Sequence, residues 1–166
     1  MNVSRRARWC LLLVLLPPFL PGMVLAGDGG VTLKVMVEQE IIVTNEKGKK
    51  EKQRVAATKV VPGDEVIYTI HYLNSGNKPA EAVFITIPIA KETTYVNGSA
   101  RGAGTRITFS TDGGKHFAEP DNLIIKLQDG RRRPAMAADY THIRWEFAEP
   151  VPASASGAVS YRAILK

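Results

Sequence analysis

The residues able to do chemistry in this chain are few and scattered. Its three histidines are His71, His116 and His142. His71 and His142 fall in segments of strand character that a sandwich can bring together, and convergent imidazoles would hold a zinc ion. Their spacing matches no ligand motif, so structural or surface roles are expected, with no metal and no cofactor. Asp112-Gly113-Gly114-Lys115-His116 offers too few acids for a calcium loop, which needs several oxygen ligands, and reads as a polar hairpin tip. No glycine-rich strand-to-helix loop is present to cradle a phosphate. The single cysteine, Cys10, lies beside an N-terminal apolar run, and no serine joins a defensible Ser-His-Asp set. A catalytic role is therefore not expected.

The densest charge is Arg131-Arg132-Arg133. Guanidinium groups grip phosphate and carboxylate oxygens bidentately, so this run is the candidate contact for a polyanionic glycan or a lipid head group. The competing reading is a solvated loop, because a polyanion site has a broader electrostatic footprint. Lys47, Lys49, Lys50 and Lys52 read as charges that keep a hairpin tip and an edge strand soluble. Asn97-Gly98-Ser99 matches a glycosylation sequon but reads as turn chemistry. Trp145, in phase with Ile143 and Phe147, reads as core rather than as a sugar platform. Lys34 shares an outward face with Thr32 and Met36, which does not suit a buried isopeptide bond.

The elements that must position these residues are strands. Val31–Val37 alternates, and Ile41–Thr44 continues it after an expected bulge or bend. A charged tip around Gly48 leads to a return strand over Arg54–Val61. Pro62-Gly63-Asp64 is a turn. Glu65–Leu73 is the clearest strand, and its two apolar faces suit a central position. Further strands are expected at Ala82–Ile87, Thr93–Val96, Arg106–Ser110, Leu123–Leu127, Thr141–Phe147 and Ala158–Leu165, with Pro88 stopping one ladder. Asp129–Ala138, containing the arginine run, reads as a long irregular loop. Eight to ten short strands with regular turn signals and no helical period predict an all-β, immunoglobulin-like antiparallel β-sandwich.

The N-terminus predicts export. Arg5, Arg6 and Arg8 precede the apolar run Leu11–Leu16, prolines follow, and Val24-Leu25-Ala26 sets up cleavage before Gly27. The run is too short to span a bilayer, which needs about 20 apolar residues. The expected division is a signal peptide over residues 1–26 and a single domain over 27–166, not membrane-spanning after cleavage. Ser4-Arg5-Arg6 leaves Sec and twin-arginine export both open. The leader carries three arginines and no acid, so its loss halves the formal charge of +6. That ordinary balance argues against nucleic acid as a partner. Without Cys10, the mature domain has no disulfide and depends on its hydrophobic core.

Pro62-Gly63-Asp64-Glu65-Val66-Ile67-Tyr68-Thr69-Ile70, then Asn74-Ser75-Gly76-Asn77, then Ala80–Thr86, then Thr94-Tyr95-Val96-Asn97-Gly98-Ser99 form an ordered set. This set resembles the bacterial surface-repeat domain of unknown function number eleven. The resemblance implies an immunoglobulin-like module of exported and cell-surface proteins, with no catalytic residues to carry over. Ile87-Pro88-Ile89-Ala90 departs from that family's usual Asp-x-Leu-Pro, no second copy is found, and no surface anchor is expected. The implied function is a non-enzymatic structural or protein-interaction module of the bacterial envelope. Its expected partners are other envelope or secreted proteins, met at an exposed sheet edge or the Arg131 loop. The expected location is the periplasm, with the extracellular space or cell surface as alternatives. The alternative function is polyanion or glycan binding through Arg131, Arg132 and Arg133.

Overall fold

The structure, a computed structural model, describes residues 30–166; the expected leader lies outside the described residues. Eleven strands occur among them: β1 (Val31–Thr44), β2 (Lys50–Ala56), β3 (Glu65–Asn74), β4 (Phe84–Pro88), β5 (Thr93–Tyr95), β6 (Arg101–Gly102), β7 (Thr105–Ser110), β8 (Ile124–Lys126), β9 (Arg132–Pro134), β10 (His142–Phe147) and β11 (Ser156–Leu165). Only two single-turn 3-10 helices, Pro120–Asn122 and Ala137–Asp139, interrupt them. The all-β sandwich expected from alternation is what forms, with every strand pair antiparallel.

The larger sheet runs β2-β1-β3-β11-β5, with β6 also on β11; the smaller runs β4-β10-β7. β3 is central, registered with β1 from Val31↔Asn74 to Glu38↔Ile67 and with β11 from Ser156↔Leu73 to Ile164↔Glu65. Its position explains its two apolar faces. Val66, Tyr68 and Ile70 point inward and join Val159, Tyr161 and Ala163 of β11. Ile85 and Ile87 of β4, Phe109 of β7, and Ile143 and Trp145 of β10 meet them from the smaller sheet. Trp145 is fully buried and its ring centroid lies 6.3 Å from that of Tyr161. Tyr161 in turn stacks on Tyr68 at 4.7 Å, nearly parallel. Burial of such rings is the main source of stability in a domain with no disulfide.

On the other face of β3, Ile67 is also buried, although it points away from the second sheet. Its ladder neighbours explain this: Glu38 flanks it on β1 and Arg162 on β11. Arg162 reaches across to Glu40 at 2.8 Å and Glu65 at 2.5 Å, so the aliphatic stem and its ion pairs roof the isoleucine.

The turn after β3 is held by a buried side chain. The Asn74 amide nitrogen donates to the carbonyls of Lys78 (2.9 Å), Val151 (2.9 Å) and Pro152 (3.1 Å), and its oxygen accepts the Gly76 N–H. The Asn97–Ser99 segment is indeed a turn, with Gly98 at φ +68° and Ser99 hydrogen-bonded to the Arg162 backbone.

Several local expectations are corrected. β1 runs without a bulge from Val31 to Thr44, because β2 takes over as its partner at Glu38, where β3 ends its pairing. The return strand is Lys50–Ala56, not Arg54–Val61, since the chain leaves the ladder after Ala57 donates to the Val37 carbonyl. The fourth strand begins at Phe84 because Ala82 sits at φ +49°, outside strand geometry. The arginine run is not an irregular loop: Arg132–Pro134 pairs with Ile124–Lys126 as a hairpin.

Candidate functional site

The arginine run turns out to be divided. Arg131 bonds back onto Asp129, with its Nε 2.7 Å from Oδ2 and its backbone N–H 3.0 Å from Oδ1. Arg133 lays its two terminal nitrogens on the Asp139 carboxylate at 2.6 and 2.8 Å. Asp139 also accepts the Met136 N–H at 2.7 Å. The Arg133 fork holds the Asp139 carboxyl below its ordinary range. Arg133 therefore ties the β8–β9 hairpin to the turn before the buried Tyr140. Strand alternation sends Arg132 to the opposite side of the hairpin, where it is exposed and makes no ion pair with a described residue. Two of the three guanidiniums thus already have carboxylate partners within the chain.

The histidines do not converge. His71 lies on the face of β3 that points away from the core, in the row Lys34–His71–Ala158. His142 lies on the outward face of β10, one residue out of phase with the buried Ile143. The two rings are on opposite outer surfaces of the sandwich, which ends the idea that they share a metal. Among the described residues no group of three His, Cys, Asp or Glu side chains is placed to hold a metal ion. His116 instead pairs with Asp112 at 2.5 Å in the hairpin tip. The Asp112 carboxyl also accepts the Lys115 and His116 N–H groups and the Ser110 hydroxyl. The His116 backbone and ring bonds, then Ser110, hold Asp112 well below the carboxylate range. This is a folded tip, not a cation loop. His142 is half-buried against Gly114, and burial lowers its pKa, partly offset by the Asp112 charge.

What the topology exposes is a projecting ribbon. β3 stops pairing with β1 at Glu38, and from Gln39 to Thr44 β1 has β2 as its only partner among the described residues. The ribbon carries Ile41 and Ile42, the latter 68% exposed. Adjacent residues of a strand point to opposite faces, so the pair presents one isoleucine on each side. Its tip is rigidly closed: the Asn45 side chain accepts the Lys47 and Lys49 N–H groups at 3.0 Å and donates to Glu51, with Gly48 at φ +74°. Its root is anchored by Glu40, which meets Arg162 at 2.8 Å, Lys52 at 3.4 Å and Arg54 at 3.6 Å. The Arg162 hydrogen bond is the main cause of a lowered Glu40 pKa.

Two backbone edges are open beside it. β2 is an outer strand of its sheet. Just before β1, the Gly30 carbonyl accepts from Ser75, beside β3, whereas the Val37 carbonyl of β1 accepts from Ala57 on the other side. Val31, Leu33 and Val35 share the phase of Val37, so their backbone groups face an edge with no described strand. Sequence reasoning located the lysines of the tip but missed the ribbon; the adjacent Ile41-Ile42 was its signal. Among the described residues no helix is long and apolar enough to cross a membrane. Compared with family models, curated proteins and solved structures, the chain matches none.

Proposed function

We propose that this chain is an exported, non-enzymatic structural or protein-interaction module of the bacterial envelope, a single copy of the surface-repeat domain it resembles. The observation that carries this reading is the β1–β2 ribbon, which extends past the core, keeps apolar side chains on both faces and is braced at tip and root. A ribbon that buries little against its own domain gains little for folding, and its open edge suits strand addition by another envelope or secreted protein. Of the three arginines of the polyanion alternative, Arg132 alone has no carboxylate partner among the described residues. Triple Arg131, Arg132 and Arg133→Ala should then leave weak heparin binding nearly unchanged.

The test is site-specific cross-linking in a bacterial envelope. A photo-reactive residue at Ile42 should give a discrete adduct with a second exported protein. One at Ile164, which is 42% exposed on β11, should not. No adduct at either position, or the same adducts at both, would contradict the reading. Mass measurement of the exported chain should show a start at Gly27.

A further inference from the structure

The outward face of the smaller sheet holds a charge with no carboxylate partner among the described residues. Arg144 lies at the middle of β10, between Thr86 on β4 and Thr108 on β7. Its Nε donates to the Thr86 hydroxyl at 3.0 Å. Its guanidinium carbon sits 3.7 Å from the ring centroid of Phe117 and 4.9 Å from that of Phe84. The rings come from opposite sides of β10. Phe84 is on β4, and Phe117 is in the segment whose Ala118 bridges to Phe109 of β7. With Nε engaged and rings against its faces, the guanidinium has its two terminal nitrogens left for in-plane hydrogen bonds. They make no hydrogen bond or ion pair with any described residue. The nearby Glu146 carboxylate on the same face is taken by Arg106. Thr108, in the same row, is 3% exposed, and its hydroxyl has no partner among the described residues.

Beside this fork lies an open strand edge. The Val83 carbonyl accepts from Phe147 and the Ile89 N–H donates to Thr141, so odd-numbered residues of β4 turn their backbone groups toward β10. Phe84 and Thr86 therefore turn theirs outward, on the outermost strand of the sheet, where no described strand stands. Phe84 is 53% exposed there.

We propose that this edge and face bind an extended acidic segment of a partner protein. The segment adds antiparallel or parallel to β4 and places one Asp or Glu carboxylate on the Arg144 fork, with an apolar side chain over Phe84. A fixed, planar, uncompensated guanidinium matches a carboxylate in two parallel hydrogen bonds, and the edge supplies the main-chain pairing that a free glycan lacks. The inference rests on the interaction-module reading and adds the chemistry of the partner.

The test is selection from a display library of random nonapeptides on the immobilised full chain. Selected peptides should share an acid at one position. Changing that acid to its amide should weaken binding about tenfold or more, the scale of a charge-assisted pair. Arg144→Gln should abolish the preference, and Arg144→Lys, which keeps the charge without the fork, should reduce it; circular dichroism should show both folded. Peptides without a common acid, unchanged affinity for both variants, or binding of polygalacturonate in place of peptide would overturn the proposal. An Ile42 adduct that persists while peptides ignore Arg144 would sink this inference and leave the interaction reading standing. Arg144-dependent peptides with no Ile42 adduct would leave this inference standing and remove the ribbon as the contact surface.

Discussion

From Val31 to Glu38, β1 is stitched to β3 and packs Leu33, Val35 and Val37 against the core; from Gln39 to Thr44 it is stitched only to β2 and shows Ile41 and Ile42 to solvent. Aliphatic residues stand on both sides of that boundary: Val31, Leu33, Val35 and Val37 before it, Ile41, Ile42 and Val43 after it. What changes is the partner. A strand face contributes to folding only if a second layer covers it. The first half packs Leu33, Val35 and Val37 on the core, and no residue from Gln39 to Thr44 joins it. The Arg162–Glu40 pair marks the boundary, pinning the ribbon to the sheet.

The contrast can be broken most forcefully at the covered end. Trp145→Ala removes the largest fully buried side chain, and should cost about 3–5 kcal/mol by denaturant unfolding, enough to threaten the fold. Asn74→Ala comes next. It strands the Lys78 carbonyl and the Gly76 N–H, while the Val151 and Pro152 carbonyls keep the Ala80 and Ala155 N–H groups, and should destabilise by about 1–3 kcal/mol while leaving the ribbon's cross-linking pattern unchanged in the folded fraction.

A smaller effect should appear with pH. Burial lowers the His142 pKa below its unfolded value of about 6.5. Folding then opposes protonation, so this contribution is full above that value and is lost as pH falls through the folded pKa. The melting temperature should decline between pH 7 and 5, and His142→Asn should flatten that decline. The carboxylates Glu40, Asp112 and Asp139, all lowered by hydrogen-bonded partners, weaken the fold only in stronger acid. At the uncovered end, Ile42→Ser should change unfolding free energy by no more than about 0.5 kcal/mol. A larger loss would show that the ribbon is part of the folding unit.

The strands were legible where alternation is local. Glu65–Leu73, Thr141–Phe147 and Ala158–Leu165 each repeat apolar residues every second position, and each forms with ends shifted by at most a few residues. Trp145 reads as core for the same reason. The ribbon was hidden because Glu38-Gln39-Glu40 breaks the apolar rhythm and suggests a bend. Those acids are explained by Thr69, Arg162, Lys52 and Arg54, which lie on other strands. Arg131–Arg133 looked like one cluster because sequence shows charges side by side. Pairing as a strand, and acids at Asp129 and Asp139, split it. Arg144 gave no local signal at all: its meaning comes from Phe84 and Phe117, brought from opposite sides of β10 by the sheet.

The most direct measurement shortens the ribbon. Ile41 and Gln53 are directly opposite, so Ile42–Lys52 can be replaced by Asn-Gly to close a tight hairpin there. The shortened chain should keep the melting temperature of the parent within a few degrees, roughly the shift of a 1 kcal/mol change. It should also fail to bind the protein captured from position 42. A shortened chain that unfolds, or that binds that protein as tightly as the parent does, would contradict the division of β1 into a folding half and a contact half.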